Sequence, residues 1–106
     1  MTFDELATLD YFTFEVTQED IDKGQPNSTT RCPIAHAVKR TLEGNYCYVP
    51  SCESLTPIEI KIPDKKSPEQ EWLFFEHSQD SRKFVHDFDL NLEAKPTTLT
   101  LRKYSI

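Results

Sequence analysis

Glycine is nearly absent: Gly24 and Gly44 are the only two in 106 residues. A phosphate-cradling loop needs several glycines close together so that backbone amides can approach the anion, so P-loop and dinucleotide-binding fingerprints are excluded. Long apolar runs are missing too. No stretch reaches the ~18 residues that a membrane-spanning helix requires, and Met1-Thr2-Phe3-Asp4-Glu5 carries acids where a secretory signal carries lysines. A cytoplasmic location and no membrane partner are therefore expected. The three cysteines, Cys32, Cys47 and Cys52, are an odd number and cannot all pair within the chain, which excludes a framework of disulfides and leaves free thiols as the expectation. Lysine and arginine are absent from residues 1–22, a stretch that holds Asp4, Glu5, Asp10, Glu15, Glu19, Asp20 and Asp22. With a net charge of −6, the chain is repelled by phosphate backbones and attracted to basic partners. Where basic residues cluster they do so only in pairs, such as Lys39-Arg40 and Arg102-Lys103, so direct nucleic-acid binding is not expected.

What is present fits one domain covering residues 1–106, with residues 1–9 as a loose or helical lead-in. Tyr11-Phe12-Thr13-Phe14-Glu15-Val16 alternates large apolar and polar side chains, the period of a half-buried strand. Thr17 reads as an N-cap with Asp20 as the capping-box acid, and Gly24 is expected to close that short helix in the left-handed conformation. Gln25 to Thr30 is turn-rich. Pro33 pre-forms the first turn of a helix running from Pro33 to about Glu43, with the Cys32 thiol at its start, Ile34, Ala35, Val38 and Leu42 as its apolar stripe, Gly44 as its stop and a turn at Asn45. Tyr46 to Val49 and Ile58 to Ile62 are read as neighbouring strands, and residues 63–68 as a polar connection. Residues 71–76 have no decisive period; strand is favoured over helix. Ser78 or Asp80 caps a further helix to Asp89, with Phe84, Val85 and Phe88 inside and Asp80, Arg82, Lys83 and Asp87 outside. Residues 97–104 alternate again as a terminal strand. The resulting expectation is an α+β domain: a largely antiparallel sheet of four to five strands, two helices on one face, and a short helical turn.

Three segments, Val16-Thr17-Gln18-Glu19-Asp20-Ile21-Asp22-Lys23-Gly24, Cys32-Pro33-Ile34-Ala35 and Phe84-Val85-His86-Asp87-Phe88-Asp89, resemble a family of small uncharacterised proteins of bacteria and their phages. That family pairs a T-x-E-D-I-x-x-G turn with a C-P-I-A-x-A helix and closes on F-[IV]-x-x-F-D. The chain departs from the pattern at His36, where an aliphatic residue is usual, and in residues 91–96, where a glycine is usual. The resemblance implies no activity; it implies a phage or mobile-element setting, in which small acidic proteins block host machinery.

Three functional classes stay open, the last of them a structural or oligomer-forming accessory protein. The first is a non-enzymatic binding protein whose partner-binding residues are Asp4, Glu5, Asp10, Glu15, Glu19, Asp20 and Asp22, occupying a basic surface on a host protein or nucleoprotein complex, for instance a defence complex such as CRISPR. No catalytic set, metal or cofactor belongs to this reading. The second is a thiol- or zinc-dependent small enzyme or sensor centred on Cys32, which lies at a helix start where amides stabilise a thiolate, with His36, Cys47 and Cys52 as further ligand types. Their spacing matches no zinc ribbon or finger. Glu19-Asp20-x-Asp22 and Asp87-Phe88-Asp89 supply carboxylates without the loop that an EF-hand requires.

Overall fold

The computed structural model describes residues 2–42, 46–61 and 72–104. Among these residues lie four helices, α1 (Phe3–Ala7), α2 (Gln18–Lys23), α3 (Pro33–Thr41) and α4 (Gln79–Asp89), and five strands, β1 (Tyr11–Val16), β2 (Tyr46–Tyr48), β3 (Ile58–Lys61), β4 (Trp72–Phe75) and β5 (Thr97–Arg102). The fold is α+β and its strands pair antiparallel throughout. No helix among the described residues is long and apolar enough to cross a membrane.

Period-two patterning places the strands. β1 buries Phe12, Phe14 and Val16 and exposes Tyr11, Thr13 and Glu15, and it pairs with β5 so that Phe12 faces Leu101 and Phe14 faces Leu99. The second sheet has the order β2-β3-β4. The strands thus form a two-stranded and a three-stranded sheet, joined at a seam. There Phe75 bridges Lys103, the Glu76 amide donates to the Arg102 carbonyl at 2.7 Å, and the Tyr104 amide donates to the Phe74 carbonyl at 2.8 Å. Three residues beyond the bridge Ser78 caps α4, so β4 leaves β5 before a full ladder can form. The run at 71–76, undecided by period, is strand over Trp72–Phe75.

The core lies between the helices and the inner sheet faces. α3 buries Ile34, Ala35, Ala37 and Val38 against β1 and β2, while Phe84 and Val85 enter the same cluster from α4. Phe12 packs on Phe14 and Phe75, with ring centroids 4.9 and 5.9 Å away. Each large side chain so buried contributes about 1.5–3 kcal/mol.

Local capping follows the sequence closely. Thr17 and Asp20 form the reciprocal capping box of α2, and Ser78 accepts from the Ser81 amide at the start of α4. Cys32 is the N-cap residue of α3, with Pro33 in its first turn. Two expectations are corrected. Gly24 is extended (φ −67°, ψ 150°) rather than left-handed. It is needed because a Cβ there would fall 2.6 Å from Cδ and Cγ of Pro33; the left-handed positions are Asn27 (φ 59°) and Asn91 (φ 58°). Arg82 does not point outward. Its Nε donates to the His77 carbonyl at 2.7 Å and its Nη1 to the carbonyls of Cys52, at 3.0 Å, and Ser54, tying the 50–54 segment to α4. The stop at Gly44, the turn at Asn45, the end of the Ile58–Ile62 strand and the connection at 63–68 lie outside the described residues.

Candidate functional site

The acids of residues 1–22 part company in three dimensions. Asp4 and Glu5 sit exposed in the first turn of α1, whose N-cap is Thr2, where a helix dipole favours negative charge. Glu19 pairs with Lys23 at 2.6 Å in open solvent, and Asp22 accepts from Gln18 Nε2 at 2.9 Å. Asp20 is a correction to the expected contact set: it is only 5% exposed. Its Oδ2 accepts from the Thr17 amide at 2.9 Å, Thr17 Oγ1 at 3.0 Å and Arg40 Nη2 at 2.9 Å. Burial pushes this carboxyl up, but the donors from Arg40 and Thr17 outweigh burial together and hold it below the ordinary carboxylate value. Asp20 therefore locks α2 to α3 and is not available to a partner. The fold also brings cations to the block that lacks them in sequence. Arg40 donates to the Glu15 carbonyl at 3.0 Å, and the Lys103 amide donates to the Asp10 carbonyl at 2.7 Å, setting Arg102 and Lys103 beside Asp10.

The thiol cluster does not assemble. Cys32 and Cys47 are buried and Cys52 is partly exposed, all three free. Burial pushes the Cys32 thiol up to about 11, with nearby Asp89 adding to the rise, although the Ala35 and Ile34 amides pull the other way. Burial raises Cys47 further still. Both are protonated thiols at neutral pH, the opposite of an activated nucleophile. Among the described residues no three His, Cys, Asp or Glu side chains converge as a metal site. Cys32 does line a small cleft of about 120 Å³ with Asn27, Thr29, Val49, Ser51 and Asp89, but Asp89 Oδ1 already accepts from the Asn27 amide at 2.8 Å. His77 is hydrogen-bonded to Ser81 and Pro50, and His86 to Asp87. The two short acidic motifs are likewise engaged within the protein, with Lys83 on Asp87 at 2.6 Å and Arg40 on Asp20.

Sequence reasoning missed the outer face of the three-stranded sheet. Cys47, Ile58, Ile60, Leu73 and Phe75 point to the core side, so alternation puts Tyr46, Tyr48, Glu59, Lys61, Trp72 and Phe74 on the other. The register arranges them in two rungs: Tyr46, Lys61 and Trp72 stand opposite one another, then Tyr48, Glu59 and Phe74. Trp72 and Phe74 lie parallel, with 6° between ring planes and centroids 6.2 Å apart. Lys61 Nζ sits 4.9 Å from the Trp72 ring centroid, a cation–π contact. Tyr46 and Trp72 remain 37% and 38% exposed. The signal in sequence was Tyr46-x-Tyr48 and Trp72-x-Phe74, two aromatic pairs at strand spacing.

No protein-family model matches the chain, and no curated protein or solved structure shows significant similarity to it.

Proposed function

We propose that this chain is a small non-enzymatic binding protein whose contact surface is the outer face of β2-β3-β4. Its net negative charge steers it toward a basic partner, for which a host nucleic-acid-handling or defence complex is the proposed class, in the phage or mobile-element setting that the resemblance implies. The observation that carries this reading is the gathering of Tyr46, Tyr48, Trp72 and Phe74 on one solvent-facing side of a sheet. Tyr and Trp dominate the energetic centres of protein interfaces, because they bury large, rigid area at little entropic cost. The exposed acids Asp4, Glu5, Asp10 and Glu15 act at longer range, within a Debye length of about 8 Å. The thiol-centred alternative has the protonated state of Cys32 against it.

The test is affinity capture from the native host with three forms of the protein: wild type, the Trp72→Ser/Phe74→Ser double variant, and a form with Asp4, Glu5, Asp10 and Glu15 reversed to lysine. A partner lost with the double variant, and retained by the charge-reversed form but associating more slowly, supports the reading. A partner indifferent to both sets refutes it, as does stoichiometric zinc in protein purified without chelator.

A further inference from the structure

Resting on that reading, the geometry points to an arginine-bearing basic segment of the partner as what this face receives, with a guanidinium seated against Glu59 between the rings of Tyr48 and Phe74. Glu59 stands at the middle of the second rung, with Tyr48 directly opposite on one side and Phe74 on the other. Side chains so opposed lie about 4.5–5.5 Å apart at Cβ, so the carboxylate is flanked by two aromatic side chains. It is partly buried and has no ion-pair partner among the described residues. The neighbouring rung shows what completes such an arrangement. There the middle position is Lys61, and its ammonium rests over the Trp72 ring. The first rung thus carries both aromatic walls and their cation, whereas the second carries the walls and an anion in the cation's place.

A guanidinium is the complementary group. It is planar and weakly hydrated, it stacks on aromatic faces, and its fork of donors matches a carboxylate two-to-two. An ammonium can satisfy the charge but not the stacking. A nucleic-acid strand would find stacking surface here, but its phosphates would meet Glu59 and a molecule of net charge −6. A second copy seated face to face would bring Lys61 from its own outer sheet face to Glu59, and that side chain is engaged with Trp72.

Trp72 is the chain's only tryptophan, so its emission reports on the face directly. The experiment titrates the full chain with a capped Gly-Ser peptide bearing four arginines, then with the same peptide made with lysine or with neutral citrulline, and with a ten-nucleotide oligothymidine. The arginine peptide is expected to shift Trp72 emission, lysine to bind several-fold more weakly, and citrulline or the Glu59→Gln variant to lose about tenfold or more, as removal of one member of a partly desolvated charge pair does. Circular dichroism establishes that Glu59→Gln folds. Equal affinity for arginine and citrulline peptides, or unchanged binding by Glu59→Gln, overturns the inference. So does preferential oligothymidine binding, or a dimer in light scattering that quenches or shifts Trp72. If the arginine peptide fails while the captured host partner still depends on Trp72 and Phe74, this inference falls and the binding reading stands; a partner that ignores the face removes the binding reading whatever the peptide does.

Discussion

His77 should make folding pH-dependent between about pH 6.5 and pH 4. The ring is 5% exposed and held at both nitrogens: Nε2 lies 3.1 Å from the Pro50 carbonyl and Nδ1 2.6 Å from Ser81 Oγ. A carbonyl can only accept, so Nε2 carries the proton, and in the neutral ring Nδ1 accepts from the Ser81 hydroxyl, whose one hydrogen is shared with the Ser78 carbonyl at 3.0 Å. Burial, then the guanidinium of Arg82, disfavour a second proton and push the imidazole down to about 4. The unfolded chain takes up that proton near pH 6.5, the folded one only near 4, so the stabilisation is complete above pH 6.5 and is lost as pH falls toward 4. At about 1.4 kcal/mol per pH unit the loss reaches about 3 kcal/mol, a large part of a stability of about 5–15 kcal/mol. Urea unfolding at pH 7, 6, 5 and 4 of wild type and His77→Gln isolates the contribution. The variant keeps an amide donor for Pro50, removes the titration, and shares every carboxylate. At pH 7 it should be weaker by about 1 kcal/mol for the lost Ser81 bond; by pH 4 the order should reverse. Parallel stability curves, or a His77 ring that takes up its second proton near pH 6.5 in the folded protein, would refute the reasoning.

Three further outcomes follow from the geometry. Gly24→Ala drives a Cβ into the Pro33 ring and should cost about 2 kcal/mol, a fall of about 9 °C in Tm for a chain of this size; Gly24→Asn should be no better, whereas a left-handed position would tolerate Asn. Asp20→Asn should cost about 2 kcal/mol at pH 7, near the lower end for a charged hydrogen bond because Arg40 is half exposed. The folded carboxyl lies below its unfolded value, so this difference is present above about pH 4 and disappears as pH falls through the folded value; denaturant curves at pH 7 and pH 2.5 read it. Iodoacetamide at pH 8 should label Cys52 first, with Cys32 slower by about a hundredfold, the deficit in thiolate set by its raised pKa; peptide mapping that finds Cys32 modified first would contradict the buried-thiol assignment.

Features that depend on near neighbours in the chain were readable from the residues. The alternation of 11–16, the caps at Thr17 and Ser78, and the Cys32-Pro33 helix start each involve positions within a few residues of one another, where side-chain chemistry acts on adjacent backbone. Features set by distant contacts were not. Gly24 owes its identity to a proline nine residues on and Arg82 to carbonyls near residue 53, so a helix-end rule and a surface-charge rule each assigned the wrong cause; Asp20 was legible as the capping-box acid, but Arg40, which withdraws it from the contact set, was not. The seam between the sheets is likewise invisible in alternation, because it rests on a single bridge between Phe75 and Lys103, far apart in the chain.

The same distinction decides how far each functional signal survives folding. A run of acids is a statement about potential, and potential is altered by whatever the fold sets alongside: Lys23 on Glu19, Arg40 on Asp20, Arg102 and Lys103 beside Asp10. An aromatic ring keeps its area and its quadrupole wherever it lands, and only its side of the sheet is in question. Here the inner side is already filled by Cys47, Ile60, Leu73 and Phe75, so the rings of Tyr46 and Trp72 add little to the core. Replacing Tyr46 and Trp72 should therefore separate the two quantities that sequence reading confuses, costing little folding stability while abolishing association. A core residue could not be removed with that result, and neither could an acid that serves only to keep the molecule in solution.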